Sequence, residues 1–159
     1  MRRRLPGAVK YRLSLLPERR LCHADSDAVT AMILGLVAEA ANDMPNGGEL
    51  VVGIRQCMID QAAAVEFPGS APGDYVRVTV KDGGCGLSAE RLERIFYPET
   101  TNRPAVAAAW QSTRRLGGFA AVESAEGVGT AVHLYFRRAV ETGESAEALI
   151  TDDFLKAAE

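Results

Sequence analysis

Apolar and polar positions along the chain fall into a readable order. Val9, Tyr11, Leu13 and Leu15 alternate with Lys10, Arg12 and Ser14, which predicts a strand with one buried face. Asp25 stands ahead of a segment in which Met32, Ile33, Leu36, Val37, Ala40 and Met44 recur at spacings of three and four. That spacing is an amphipathic helix over about 28–44, capped by Asp25 and ended by Pro45 and the turn Asn46-Gly47-Gly48. Leu50, Val52 and Ile54 give a second strand, and Val76, Val78 and Val80 a third. Between them, 60–74 holds Pro68, Gly69, Ser70, Pro72 and Gly73 and reads as a loop. Ser88 caps a short helix over 89–95, and 105–115 is a further helix closed by Gly117-Gly118. Phe119–Ser124 and Ala131–Arg137 form a final strand pair around Gly127.

The strands alternate rather than run apolar throughout, so the sheet is expected to bury one face. The predicted fold is a two-layer α/β sandwich: a mixed, mostly antiparallel sheet covered by helices on one face. A chain of 159 residues with 47% hydrophobic content supports one core. The expected division is a folded unit over 1–138 and an acidic linker or short helix over 139–159.

Charge and cysteine usage narrow the classes. A net charge of −3 gives no reason to expect nucleic acid as a partner, and Arg2-Arg3-Arg4 reads as a solvated terminus. No stretch has the ~20 apolar residues that span a bilayer, so no direct membrane insertion is expected. Cys22, Cys57 and Cys85 show no CxxC spacing and read as reduced thiols of a cytoplasmic protein. His23 and His133 read as ordinary surface histidines, and Trp110 as a packing residue.

Four segments carry chemistry. Glu39-Ala40-Ala41-Asn42-Asp43-Met44-Pro45-Asn46-Gly47-Gly48 closes the long helix, and Asp82-Gly83-Gly84-Cys85-Gly86-Leu87 ends the third strand. Arg94-Ile95-Phe96-Tyr97-Pro98 with Thr100-Thr101 follows, and then Gly117-Gly118 with Glu123-Ser124 and Gly127-Val128-Gly129-Thr130. A carboxylate such as Asp82 at a strand end can accept from an exocyclic amine, and Gly84 and Gly86 let backbone pass close to a flat ligand.

In this order these segments resemble the N, DxGxG and F boxes and the closing strands of the catalytic ATP-binding domain of sensor histidine kinases, in the GHKL (Bergerat-fold) ATPase superfamily. The resemblance runs from about residue 8 to about 138. It implies ATP and Mg2+ as cofactors, with Glu39, Asn42, Asp82, Gly84, Gly86, Leu87 and Thr130 around the nucleotide and Glu39 at the metal position. It implies as partners the dimerisation and phosphoacceptor helices of a histidine kinase and a response regulator.

The sequence also departs from that pattern. The family's Mg2+-binding asparagine is Glu39 here, and the residue one turn earlier is Gly35. The flexible lid is missing, since Thr101 leads almost directly into the next helix. The glycine-rich phosphate run would fall at 101–106, which holds no glycine and contains Pro104. Arg103 is the one candidate there for a phosphate contact. Neither histidine stands in a phosphoacceptor context, so autophosphorylation by this chain alone is not expected. Two readings stay open: an ATP-binding kinase domain with impaired nucleotide binding, or an inactive pseudo-ATPase that docks a phosphotransfer hairpin or response regulator. A serine kinase of the anti-sigma-factor type fits the motifs less well.

Overall fold

A computed structural model describes residues 9–15, 22 and 24–139. The elements are β1 (Val9–Ser14), α1 (Ser26–Asn42), β2 (Gly48–Ile59), α2 (Gln61–Glu66), β3 (Gly73–Asp82), α3 (Ala89–Glu93), α4 (Pro104–Arg115), β4 (Phe119–Ala125) and β5 (Gly129–Arg137). His23 and the tail from 140 onward lie outside the described residues.

The five strands form one sheet in the order β1-β2-β3-β5-β4. β1 runs parallel to β2, and every other pairing is antiparallel. The sheet is therefore mixed and mostly antiparallel, as the alternation predicts. On the helix-covered face, Leu50, Val52 and Ile54 of β2, Val76, Val78 and Val80 of β3, and Val132, Leu134 and Phe136 of β5 are buried. They meet Val29, Met32, Ile33, Leu36 and Ala40 of α1 and Val106 and Ala109 of α4 in one continuous core. Asp25 caps α1 through its carboxylate, which accepts from Asp27 N at 2.9 Å. No helix among the described residues is long and apolar enough to cross a membrane.

The segment expected to be a loop is partly ordered. Asp60 caps α2, accepting from Ala63 N at 2.8 Å, and β3 already begins at Gly73. Proline and glycine signals masked a six-residue helix whose alanines give little periodicity to read. Phe67, just after α2, lies against the opposite face of the sheet. There it joins Ile59, Tyr75, Phe119 and Tyr135 in a second, smaller cluster. Among the described residues, the other face is thus covered at one end and open at the other.

Candidate functional site

The site forms where α1 ends, β3 ends and α4 begins. Glu39 and Asp43 are four residues apart, so they lie one above the other on the same side of the helix end. Asp82 closes β3 with its side chain turned under the helices, almost wholly buried. Thr130 lies directly opposite it on β5.

Arg103, the residue before α4, projects into this space and is itself buried. Its Nη2 lies 2.7 Å from Asp43 Oδ2 and 3.5 Å from Asp82 Oδ2, and donates to Thr130 Oγ1 at 3.2 Å. Its Nη1 lies 4.0 Å from Glu39 Oε2. One guanidinium is thus shared among three carboxylates and a hydroxyl. The match is incomplete: Arg103 Nε and Glu39 Oε2 are buried without a hydrogen-bond partner. Polar groups left so are costly, so the cluster is not fully satisfied by its own members.

Glu39 performs a second task. Its Oε1 accepts from Ala105 N at 3.0 Å, so a carboxylate sits at the N-terminus of α4. Helix N-termini favour negative charge because their first amides have no partner within the helix. Pro104 at the first turn gives up an amide that had no partner to lose. Burial pushes the Glu39 carboxyl above its usual range, opposed by the amides of Ala105 and Val106 and by Arg103.

The glycine-rich loop after β3 is held from two sides. Gly84 N donates to Asp82 Oδ1 at 2.9 Å, so the second carboxylate oxygen of Asp82 is also engaged. Gly86 has φ +68°, and a Cβ there would run into the carbonyl oxygen of Ala125, which explains the glycine. Leu87 is buried in the core, and its N–H donates to Ser124 Oγ at 2.8 Å. Ser124 Oγ in turn lies 2.9 Å from Thr130 Oγ1. A polar chain therefore runs from Leu87 through Ser124 and Thr130 to Arg103.

Of the residues expected at the site, the structure brings Glu39, Asp82 and Thr130 around one centre, with Gly84, Gly86 and Leu87 in the loop beside it. Asn42 points to solvent at the end of α1 and does not join them. Sequence reasoning missed Asp43 and read Arg103 as a possible phosphate contact rather than as a buried centre. The helical spacing of Glu39 and Asp43 was the available signal. His133 is not at the site. It is half-buried on the opposite face, with Nδ1 2.8 Å from Thr79 Oγ1, and desolvation lowers its pKa. A polar depression of about 270 Å³ lies outside the cluster, lined by Ser88, Arg91, Arg94, Thr100 and Asn102 among others.

Comparison with known proteins bears on the family and the fold. Residues 24–140 match the family described as histidine kinase-, DNA gyrase B- and HSP90-like ATPase. The sensor kinase CckA of Brucella abortus (strain 2308) is 26% identical over 132 residues, covering 79% of this chain and 14% of that protein. The chain therefore spans about a seventh of that curated relative. Among solved structures, the mycobacterial sensor histidine kinase MprB superposes with a TM-score of 0.60 at 19% identity, covering 84% of this chain and 85% of that one. Full-length ShkA, solved in complex with AMPPNP, superposes with a TM-score of 0.61 at 17% identity, covering 83% of this chain and 26% of that one.

Proposed function

The chain belongs to the histidine kinase-, DNA gyrase B- and HSP90-like ATPase family, and we propose that within it this is a nucleotide-silent ATPase-type domain of a sensor histidine kinase, which works by docking rather than by phosphoryl transfer. The observation that carries the proposal is the burial of Arg103 against Asp82, Asp43 and Thr130.

Domains of this family bind ATP with Mg2+. By resemblance, Asp82 is the group that reads the adenine amine. In this chain the Arg103 guanidinium of the chain itself lies 3.5 Å from that carboxylate as an ion pair, and Gly84 N donates to its other oxygen. At the other end, the α4 N-terminus is where phosphate oxygens would find amides. There the Glu39 carboxylate accepts from Ala105 N instead. Both halves of the nucleotide's polar recognition are thus met from within: a cation on the base-reading acid, and an anion on the phosphate-reading helix. The residues do not fit Mg-ATP. Entry of a nucleotide requires Arg103 to leave three carboxylates, and it brings a polyphosphate beside Glu39 and Asp43. At an effective dielectric near 20, each close pair of like charges costs on the order of a few kcal/mol.

With nucleotide chemistry set aside, the role that suits the domain is to dock the phosphotransfer hairpin of a histidine kinase or its response regulator. Docking needs the fold intact, and the Arg103 network ties α1, β3, β5 and α4 together without a ligand.

The test is a thermal-unfolding titration with Mg-ATP and Mg-ADP. A ligand present at a hundred times its Kd adds about 2.7 kcal/mol of stability, a readily measured rise in Tm. No rise at millimolar nucleotide is expected. A saturable rise in the micromolar range would overturn the proposal and return the chain to the ATP-binding kinase domains.

A further inference from the structure

The sheet face turned away from α1 and α4 carries a concentration of positive charge out of keeping with a chain of net charge −3. Strand alternation places Lys10 and Arg12 of β1, Arg55 of β2, and Arg77 and Lys81 of β3 on this face. Arg12 is paired with Glu49 at 3.1 Å. The remaining four make no ion pair among the described residues. Arg55 and Arg77 stand directly opposite each other across the β2–β3 ladder, a like-charge pairing that destabilises a sheet unless an anion relieves it. Arg77 Nε is buried without a hydrogen-bond partner. Between these cations the floor is Val51, Gly53, Thr79, Ala121 and Ala131, with the His133 ring held against Thr79 and one acid, Glu123, on the edge strand β4, 3.7 Å from His133. The aromatic cluster under α2 covers only the far end of the face.

The chain also contains an acidic stretch. Residues 140–159 carry Glu141, Glu144, Glu147, Asp152, Asp153 and Glu159 against the single cation Lys156. They contribute −5 to the net charge, so the rest of the chain is net positive at +2. Leu149, Ile150, Phe154 and Leu155 add apolar side chains among the acids.

We propose that the open half of this sheet face is the docking surface for the chain's own acidic segment 140–159. The reach is ample. β5 ends at Arg137, and Lys81 pairs with Ala131 six residues back along that strand, roughly 20 Å away at the strand rise. Twenty residues span up to about 66 Å when extended. The carboxylates would meet Arg55, Arg77 and Lys81, and the apolar side chains the small-residue floor between them. This docking is independent of whether the domain binds nucleotide.

The lysine distribution makes the test direct. The chain has three lysines: Lys10 and Lys81 on this face, and Lys156 in the segment itself. Zero-length carbodiimide coupling of the full chain at low micromolar concentration joins a carboxylate to an amine in contact with it. Amide bridges from Lys81 or Lys10 to acids between 141 and 153 are expected in the monomer, read by mass spectrometry. Their yield should drop about fivefold or more near 1 M salt, where the screening length shrinks to about 3 Å. Arg55→Glu, an exposed change, should reduce them similarly. Arg91→Glu, on the other side of the molecule, should leave them intact. The proposal fails if no such bridge forms, if bridges persist in Arg55→Glu, or if they join two molecules only. It also fails if a short single-stranded oligonucleotide binds this face at micromolar concentration and abolishes the bridges, since the face would then belong to nucleic acid.

Discussion

Two buried clusters close this sheet at opposite ends and on opposite faces, and they solve the same packing problem with opposite chemistry. Under the α1–α4 helices, space at the ends of β3 and β5 is filled by a guanidinium among Glu39, Asp43 and Asp82. Under α2, space is filled by rings. Phe119 stacks on Tyr135 at 4.3 Å with planes 7° apart, Tyr75 meets Phe119 edge-on at 5.2 Å, and Phe67 closes the group. Ring contacts are short-ranged and neutral, so the loss of one member is a local packing defect. The charged cluster is balanced only as a whole, because its three carboxylates, two of which also engage a backbone amide, share one cation. The difference separates a region built to be stable from a region built around a group that is hard to replace.

The largest effect expected from that contrast is at Arg103. Arg103→Ala leaves three carboxylates facing one another without their cation, and removing one partner of a buried ion pair costs about 3–5 kcal/mol. In a domain of this size that is a fall in Tm of roughly 10–20 °C. The deficit should shrink as pH is lowered, because protonation discharges the orphaned acids, and urea unfolding at several pH values measures both. A loss below about 1 kcal/mol with no pH dependence would show that Arg103 merely lies over the cluster.

A smaller and chemically blank effect is expected at the other end. Phe119→Leu keeps an apolar side chain of similar size but removes the stack on Tyr135 and the edge contact with Tyr75, costing about 1–2 kcal/mol. The same urea series should give a deficit that is flat with pH. A pH-dependent deficit here would erase the distinction between the two clusters.

The two clusters were also unequally legible in the sequence. Period-two alternation placed β2, β3 and β5, and spacings of three and four placed α1, because those patterns record which side chains leave water. In the edge strand β1 it located the strand but not the expected buried face, since Tyr11 and Leu13 are exposed and only Val9 is buried. The glycines at 84 and 86 and the acid at 82 announced a close backbone turn. By contrast, nothing periodic announces an arginine at a helix entrance folding back on acids some twenty and sixty residues away, since such pairings are set by tertiary geometry. Asp43 was hidden for a related reason. It lies past the last turn of α1, where helical facing is no longer certain, and only its i,i+4 relation to Glu39 hinted at the cluster. The aromatic group was obscured by the proline- and glycine-rich segment that carries Phe67, and by rings spread over four elements.

The smallest effect, and the sharpest on the balance of the charged cluster, belongs to Glu39→Gln. Burial holds the Glu39 carboxyl above its usual value near 4.5, so the fold favours the protonated form. The stabilisation from that preference is fully present below the unfolded value and is lost as pH rises through the folded one. Wild type should therefore lose stability across the window just above pH 4.5, and the glutamine variant should not. The amide oxygen can still accept from Ala105 N, so the α4 N-terminus keeps its cap, while two carboxylates remain for one guanidinium. Glu39→Gln should consequently be as stable as wild type at neutral pH, or slightly more so, with a flatter pH profile. A marked loss of stability at neutral pH would mean that Arg103 needs the charge of all three acids, and that the cluster is better balanced than its two unpartnered atoms indicate.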